Sequence, residues 1–396
     1  NLIAPQLLRG KLVDRVMPSP GRLVQLVLGS FCAVNGILDF YMDSGAERLR
    51  WSRCLAIYRV VHNFMVFSLT TKFLLDFWET HAAEIKNSKL MTMNFFTYFT
   101  LVFLAITTSM GCCYQWQNRI FMVIQKLRHQ KDQSKRLGYR VPKCKKFFVD
   151  CSMFLVTILM FLRLGIHVTM WLMSVRMGFN HPCNCFFPEC MIFAMNYLVF
   201  AILAEITQCW WRLQSGLEML LVDPRPTTVD YQLCQIQRLH TMFQCLIDVT
   251  SEVCSIFKFV LLSYTARNLW SGIVAGYMVV RVVLGKGQAD VEFMYLILAF
   301  VTCIQPLMFS FLLNSMTHTA DSLLQATRYI LRTPYKRSDQ VDRSIEWLSL
   351  QLARQHSYIA VFGTFRMNRS LLFNSLAIIL IHVLYMVQSD YISMTK

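Results

Sequence analysis

Across 396 residues the chain is 55% hydrophobic, 13% aromatic and only 16% charged, with a mean hydropathy of +0.41. Soluble domains carry about 25% charge, so this is the composition of a multi-span membrane protein. The formal charge of +16 does not indicate a nucleic-acid partner, because the basic residues sit in loops between apolar runs, where they encode topology.

The opening NLIAPQLLRGKLVDRVMPSPGR has no apolar core ahead of a small-residue cleavage site, so no cleaved signal peptide is expected. The following stretch, LVQLVLGSFCAVNGILDFY, is short and holds Gln25 and Asn35; over 23–41 it reads as an interfacial or pre-span helix. A membrane helix needs about 20 mostly apolar residues. Seven segments qualify, at 58–78, 92–114, 147–173, 187–210, 256–280, 291–314 and 371–391.

The connections set the orientation. Residues 115–146 carry ten Lys and Arg residues against the single acid Asp132, and 315–370 is also basic. The positive-inside rule makes both cytoplasmic. The sparsely charged loops 79–91, 174–186 and 281–290 then lie outside. The predicted fold is all-α, with seven transmembrane helices in an inverted topology: N-terminus inside, C-terminus outside.

Two inner connections read as amphipathic helices. Before the fifth span, Leu233, Ile236, Leu239, Phe243, Leu246 and Ile247 recur at steps of three and four. After a break at Pro334, Val341, Ile345, Leu348 and Leu352 form another stripe, with Ser338 as its N-cap. Such helices either pack into a cytosolic layer or lie on the lipid surface; the packed layer is expected.

Polar residues inside the spans face protein or water rather than lipid. Arg163 and His167 share a face of the third span, and Arg267 lies in the fifth, with no evident acidic partner in the outer half. Glu205 matches the depth of Lys258 better than that of Arg163. A water-filled outer cavity would accommodate these three residues, and Tyr98, Phe99, Trp171, Trp270, Tyr277 and Tyr295 lie at compatible depth, although interfaces favour Trp and Tyr in any case. Pro306 is expected to kink the sixth span. In HPCNCFFPEC, read as an outer loop, a Cys183–Cys190 disulfide is expected over free thiols or a metal site. No metal, cofactor or enzyme motif is present in the sequence. The triplet Asn368-Arg369-Ser370 falls on the cytoplasmic side, where glycosylation is not expected.

In the final span Asn374, Ile378, Ile381, Tyr385 and Gln388 form one stripe, with His382 beside it. Periodicity alone allows either hydrogen bonding to a neighbouring span or lining of a pore or cavity.

The inverted seven-span order, the two long inner connections, VFGTF, RSLLFNSLAII and the apolar ending at Gln388 resemble the insect gustatory receptors, relatives of the insect odorant receptors. That family's usual final-helix signature is Thr-Tyr, five apolar residues, then Gln and often Phe. Here Gln388 matches, but Ile381 and His382 replace Thr and Tyr, and Ser389 replaces Phe. The resemblance implies a ligand-gated non-selective cation channel of four subunits, identical or related, in the plasma membrane of chemosensory neurons. It implies a small-molecule tastant, bitter rather than sugar, bound in an outer cavity of the bundle. Gln388, Tyr385, Ile381, Ser389 and His382 are then the pore and gate candidates. The implied division is an N-terminal cytosolic or interfacial region (1–57), six spans with the ligand-binding bundle (58–314), a cytosolic helical layer (315–370), and a pore-lining helix with a short outer end (371–396). A G-protein-coupled receptor would need the opposite orientation and its Asp-Arg-Tyr and Asn-Pro-x-x-Tyr signatures, and a secondary transporter would need inverted repeats.

Overall fold

A computed structural model describes residues 29–394, apart from 44–47, 88, 177–182, 223–228, 284–311, 330, 333–337, 355–359, 362–364 and 367–368. The architecture is helical. Helices α1 (Arg53–Asn87), α2 (Lys89–Arg136), α3 (Lys143–Arg176), α4 (Cys183–Val222) and α5 (Val229–Val283) come first. They are followed by α6 (312–329), α7 (Asp339–Arg354) and α8 (Arg369–Met394). Two small antiparallel hairpins complete the fold: β1 (Phe40–Asp43) with β2 (Arg48–Trp51) ahead of α1, and β3 (Ala360–Val361) with β4 (Phe365–Arg366) ahead of α8.

The sequence expectation of a helix over 23–41 holds only in part. A helical stretch at 29–34 stops at Gly36, whose φ of 62° lets the chain turn back. Ile37 N–H donates to the Cys32 carbonyl and Gly36 N–H to that of Ala33, the paired bonds of a Schellman stop. Phe40 and Tyr41 then enter a strand. The same device ends α2 at Gly138, where Tyr139 N–H reaches the Ser134 carbonyl.

Among the described residues, four helical stretches are long and apolar enough to cross a membrane: Arg53–Lys72, Phe96–Arg136, Lys143–Ile166 and Phe187–Leu220; Phe373–Ser389 is a shorter apolar helix. The sixth expected span lies almost wholly outside the described residues. The Phe187–Leu220 stretch is the hub: it is 89% buried over its most apolar part, against 22–39% for the other three. A helix apolar on all sides belongs in the core, and α4 packs against α1, α2, α3 and α5.

The helices are longer than their apolar parts. With 55 residues α5 runs roughly 80 Å, well beyond a hydrocarbon core of about 30 Å. It fuses the amphipathic stretch ahead of the fifth span and that span into one rod. Ile236, Leu239, Phe243 and Leu246 are buried on it, and Val341, Ile345, Leu348 and Leu352 of α7 are buried against it. His240 and Gln244 both hydrogen-bond Gln351 across that contact. The two amphipathic stripes therefore pack against each other. Ser338 caps α7, its hydroxyl accepting from Val341 N–H at 3.4 Å.

Three apolar boundaries read independently from the sequence meet in space. Arg59, at the start of the first span, donates from Nη1 to the Cys113 carbonyl at the end of the second (3.0 Å). Cys112 Sγ lies 3.8 Å from the Ile256 carbonyl, at the start of the fifth. The fourth span departs from this level: Trp210, read as its inner end, stacks on Phe243, roughly 20 Å along α5 from Ile256. Below the shared level Arg119 and Lys126 bracket Glu252 at 3.1 and 3.4 Å.

Candidate functional site

The last helix, α8, docks on α5. Its inward face holds Ile379, Val383, Met386 and Val387, packed with Leu269, Trp270, Ile273 and Tyr277. Two glycines one turn apart make the approach possible. A Cβ on Gly272 would meet Ile379 Cδ1 at 2.7 Å, and one on Gly276 would meet Val383 Cγ2 at 2.9 Å. This Gly-x-x-x-Gly spacing is the small-residue seam that lets membrane helices come close. It was legible in SGIVAG but was not singled out in the sequence.

Docking that face turns the polar stripe outward. Asn374, Ile378, Ile381, Tyr385 and Gln388 are exposed, Ile381 and Tyr385 by 63% and 64%, and His382 is exposed beside them. Ser389 is half-buried. His382 Nδ1 lies 2.9 Å from the Ile378 carbonyl of its own helix. The stripe thus points away from its own bundle.

The residues proposed for the ligand cavity divide into groups. Arg267 on α5 is fully buried and forms an ion pair with Glu189 on α4. Its expected lack of an acidic partner is corrected: Glu189 belongs to the stretch read as a loop, which is helical from Cys183. Tyr98 and Tyr264 lie close enough to act on the guanidinium electrostatically, and Tyr98 stacks edge-on against the buried Phe99. The Nε and Nη1 of Arg267 meet no hydrogen-bond acceptor among the described residues. Trp270 and Tyr277 belong instead to the seam with α8. Arg163, His167 and Trp171 are on α3, with side chains outside the described set, and Tyr295 and Pro306 lie outside the described residues altogether.

A further expectation is corrected. Cys183 and Cys190 share one continuous helix, which separates their Cα atoms by about 10 Å, beyond the roughly 7 Å limit of a disulfide; Cys190 is a buried free thiol. Glu205 pairs with Lys131 of α2 at 2.8 Å, which sets α4 deeper than hydropathy suggested.

Comparison with known proteins follows the architecture. The 7tm Chemosensory receptor family model matches residues 26–393. A Drosophila melanogaster protein named "Putative gustatory receptor 85a" is 61% identical over 396 residues, 100% of both chains. The olfactory receptor OR5 of the insect Machilis hrabei, solved in complex with eugenol, has a TM-score of 0.63 at 12% identity, covering 93% of this chain and 98% of that one. A second structure of that receptor gives 0.59 at 11%, covering 91% and 97%. At such identities the likeness is one of fold.

Proposed function

Because the chain belongs to the 7tm chemosensory receptor family, we propose that it is a ligand-gated, non-selective cation channel. In this reading four subunits, identical or related, assemble in the plasma membrane of a chemosensory neuron with seven spans each, C-terminus outside, and α8 of each lines the pore. The observation that carries the reading is the outward polar stripe of α8. A tyrosine and a glutamine turned from their own bundle would be left without partners in lipid. A water-filled axis shared with copies of the same helix satisfies them. The stripe carries no acid and no Lys or Arg, which suits a pore that passes small cations with part of their hydration rather than selecting one.

Helix α5 supplies the coupling. Arg267 faces the bundle through Glu189, and over the next three turns Trp270, Ile273 and Tyr277 hold α8. A tastant in the outer bundle, accepting hydrogen bonds from the remaining Arg267 N–H groups, would open the pore by binding the open arrangement of α5 more tightly than the closed one. Bitter compounds are the favoured class.

The test begins with antibody access to a C-terminal tag on intact cells expressing the receptor. Staining without permeabilisation is the expected result. A tag reached only after permeabilisation, on receptor present at the surface, contradicts the inverted topology and the pore assignment with it. Gln388→Ala and Tyr385→Ala are then expected to change conductance or rectification while leaving surface expression intact.

A further inference from the structure

A chamber of about 290 Å³ opens between α3, α4 and α6, close to the lower end of the range of small-molecule sites. It lies where three of the apolar runs stop. Lys145 and Phe148 stand at the start of the third, Trp211 at the end of the fourth, and Asn314, Ser315 and His318 at the end of the sixth. Phe148 and the buried Trp211 supply apolar wall. The half-buried Lys145 lies over the Trp211 ring, its Nζ 5.7 Å from the centroid. From α6, an amide, a hydroxyl and an imidazole reach the same space, all able to donate hydrogen bonds.

Among the described residues, the partners of Lys145 are neutral. Its Nζ donates to the side-chain oxygen of Gln214 at 3.0 Å, and that amide donates in turn to Glu218 at 3.0 Å. The carboxylate thus stands one link behind the lysine, and no acid lines the chamber itself. The backbone adds to the imbalance. Lys143 and Lys146 share the first turn of α3 with Lys145, and that turn holds no acid. A helix dipole makes its N-terminus positive, so cations there are unfavourable and an anion is stabilised. Helix α2 shows the favourable arrangement, with Lys135 and Arg136 in its last turn. An anion in the chamber would offset both the lysine charge and the positive end of α3.

We propose that this chamber binds a phosphate group, carried by a soluble anion or by a lipid headgroup, with Lys145 supplying the charge and Asn314, Ser315 and His318 supplying neutral donors. The inference does not rest on ligand gating. Lysine meets phosphate as a point charge, and its charge-assisted hydrogen bonds are roughly twice as strong as neutral ones. The neutral donors of α6 would fix the orientation of the remaining oxygens. In the proposed topology the chamber is on the cytoplasmic side, within reach of either source.

The experiment uses the full-length purified receptor in phosphatidylcholine nanodiscs, which leave both membrane faces open. Radiolabelled pyrophosphate probes the soluble source. Discs doped with phosphatidic acid probe the headgroup, read as lipid retained by the receptor in native mass spectrometry. Saturable binding of at least one probe is expected. Lys145→Gln should weaken it about tenfold, the worth of one charge-assisted hydrogen bond, and Lys145→Arg should restore most of it. Lys135→Gln removes an equal charge from the exposed end of α2 and should change nothing. If Lys145→Gln fails to give a normal size-exclusion profile, the double variant Asn314→Leu, His318→Leu tests the chamber from α6, with the same loss expected. Pyrophosphate bound without retention of phosphatidic acid identifies a soluble anion, and the reverse identifies a headgroup. Binding of neither probe would overturn the proposal. So would equal weakening by Lys145→Gln and Lys135→Gln, or binding indifferent to both Lys145→Gln and the α6 double variant. Because binding is read without tastant or current, its failure leaves the channel reading standing, and an absence of current leaves the phosphate site standing.

Discussion

Arg267 shows how one residue sets the internal balance of the bundle. A guanidinium with no solvent exposure is tolerable because Glu189 neutralises it. Removing one partner of such a pair leaves a buried charge alone, which costs about 3–5 kcal/mol, whereas replacing both with apolar groups of similar volume is often neutral. Glu189→Gln and Arg267→Met are each expected to lower the thermal midpoint of the detergent-purified receptor. The double variant Glu189→Leu, Arg267→Met is expected to recover much of the loss while abolishing ligand response. Size-exclusion after heating reads the first effect and currents the second. A double variant as unstable as the worse single one would count against the pair as an isolated neutralising unit. The pair was not legible in the sequence: the fourth apolar run, 187–210, includes Glu189, but that residue was read with the outer stretch HPCNCFFPEC. Glu189, following Pro188, looked like part of a loop; a buried acid paired across helices has no signature along its own helix.

The α5–α8 seam is decided at the level of elements. Gly272 and Gly276 both admit α8, but their neighbours differ. The methyl that would meet Ile379 touches the free end of a flexible side chain, whereas the one at Gly276 meets Val383, whose χ1 is held by branching at Cβ. Gly276→Ala is therefore expected to cost more than Gly272→Ala, within the roughly 1–3 kcal/mol of overpacked cores. Val383→Ala should rescue the first by making room. Equal effects of the two glycine variants on the thermal midpoint would contradict this packing. At the start of α7, Ser338→Ala removes the cap and should cost about 1 kcal/mol, read as a lower thermal midpoint. That cap and the stripes of α5 and α7 were legible in advance, because amphipathic helices in water carry a 3.6-residue pattern. Inside the membrane apolar residues lie on every face, so the inward face of α8 and the offset of α4 could not be read from periodicity.

On the scale of the molecule, α4 is enclosed by its neighbours while α8 leaves its polar stripe exposed. The core centres on α4, the amphipathic part of α5 packs on α7, and among the described residues α8 is held through the face that meets α5. In the proposed assembly, copies of the stripe would face one another around an axis and give the exposed Tyr385 and Gln388 of that helix their partners. The most direct measurement is disulfide trapping between subunits: Gln388→Cys and, separately, Ile379→Cys, each oxidised in native membranes and compared with the parent receptor, whose exposed Cys54, Cys144, Cys151 and Cys234 set the background. Subunit dimers formed by Gln388→Cys above that background, and none from Ile379→Cys, are the predicted result. No dimer from Gln388→Cys, or dimers from Ile379→Cys alone, would contradict the placement of the last helix at a shared pore.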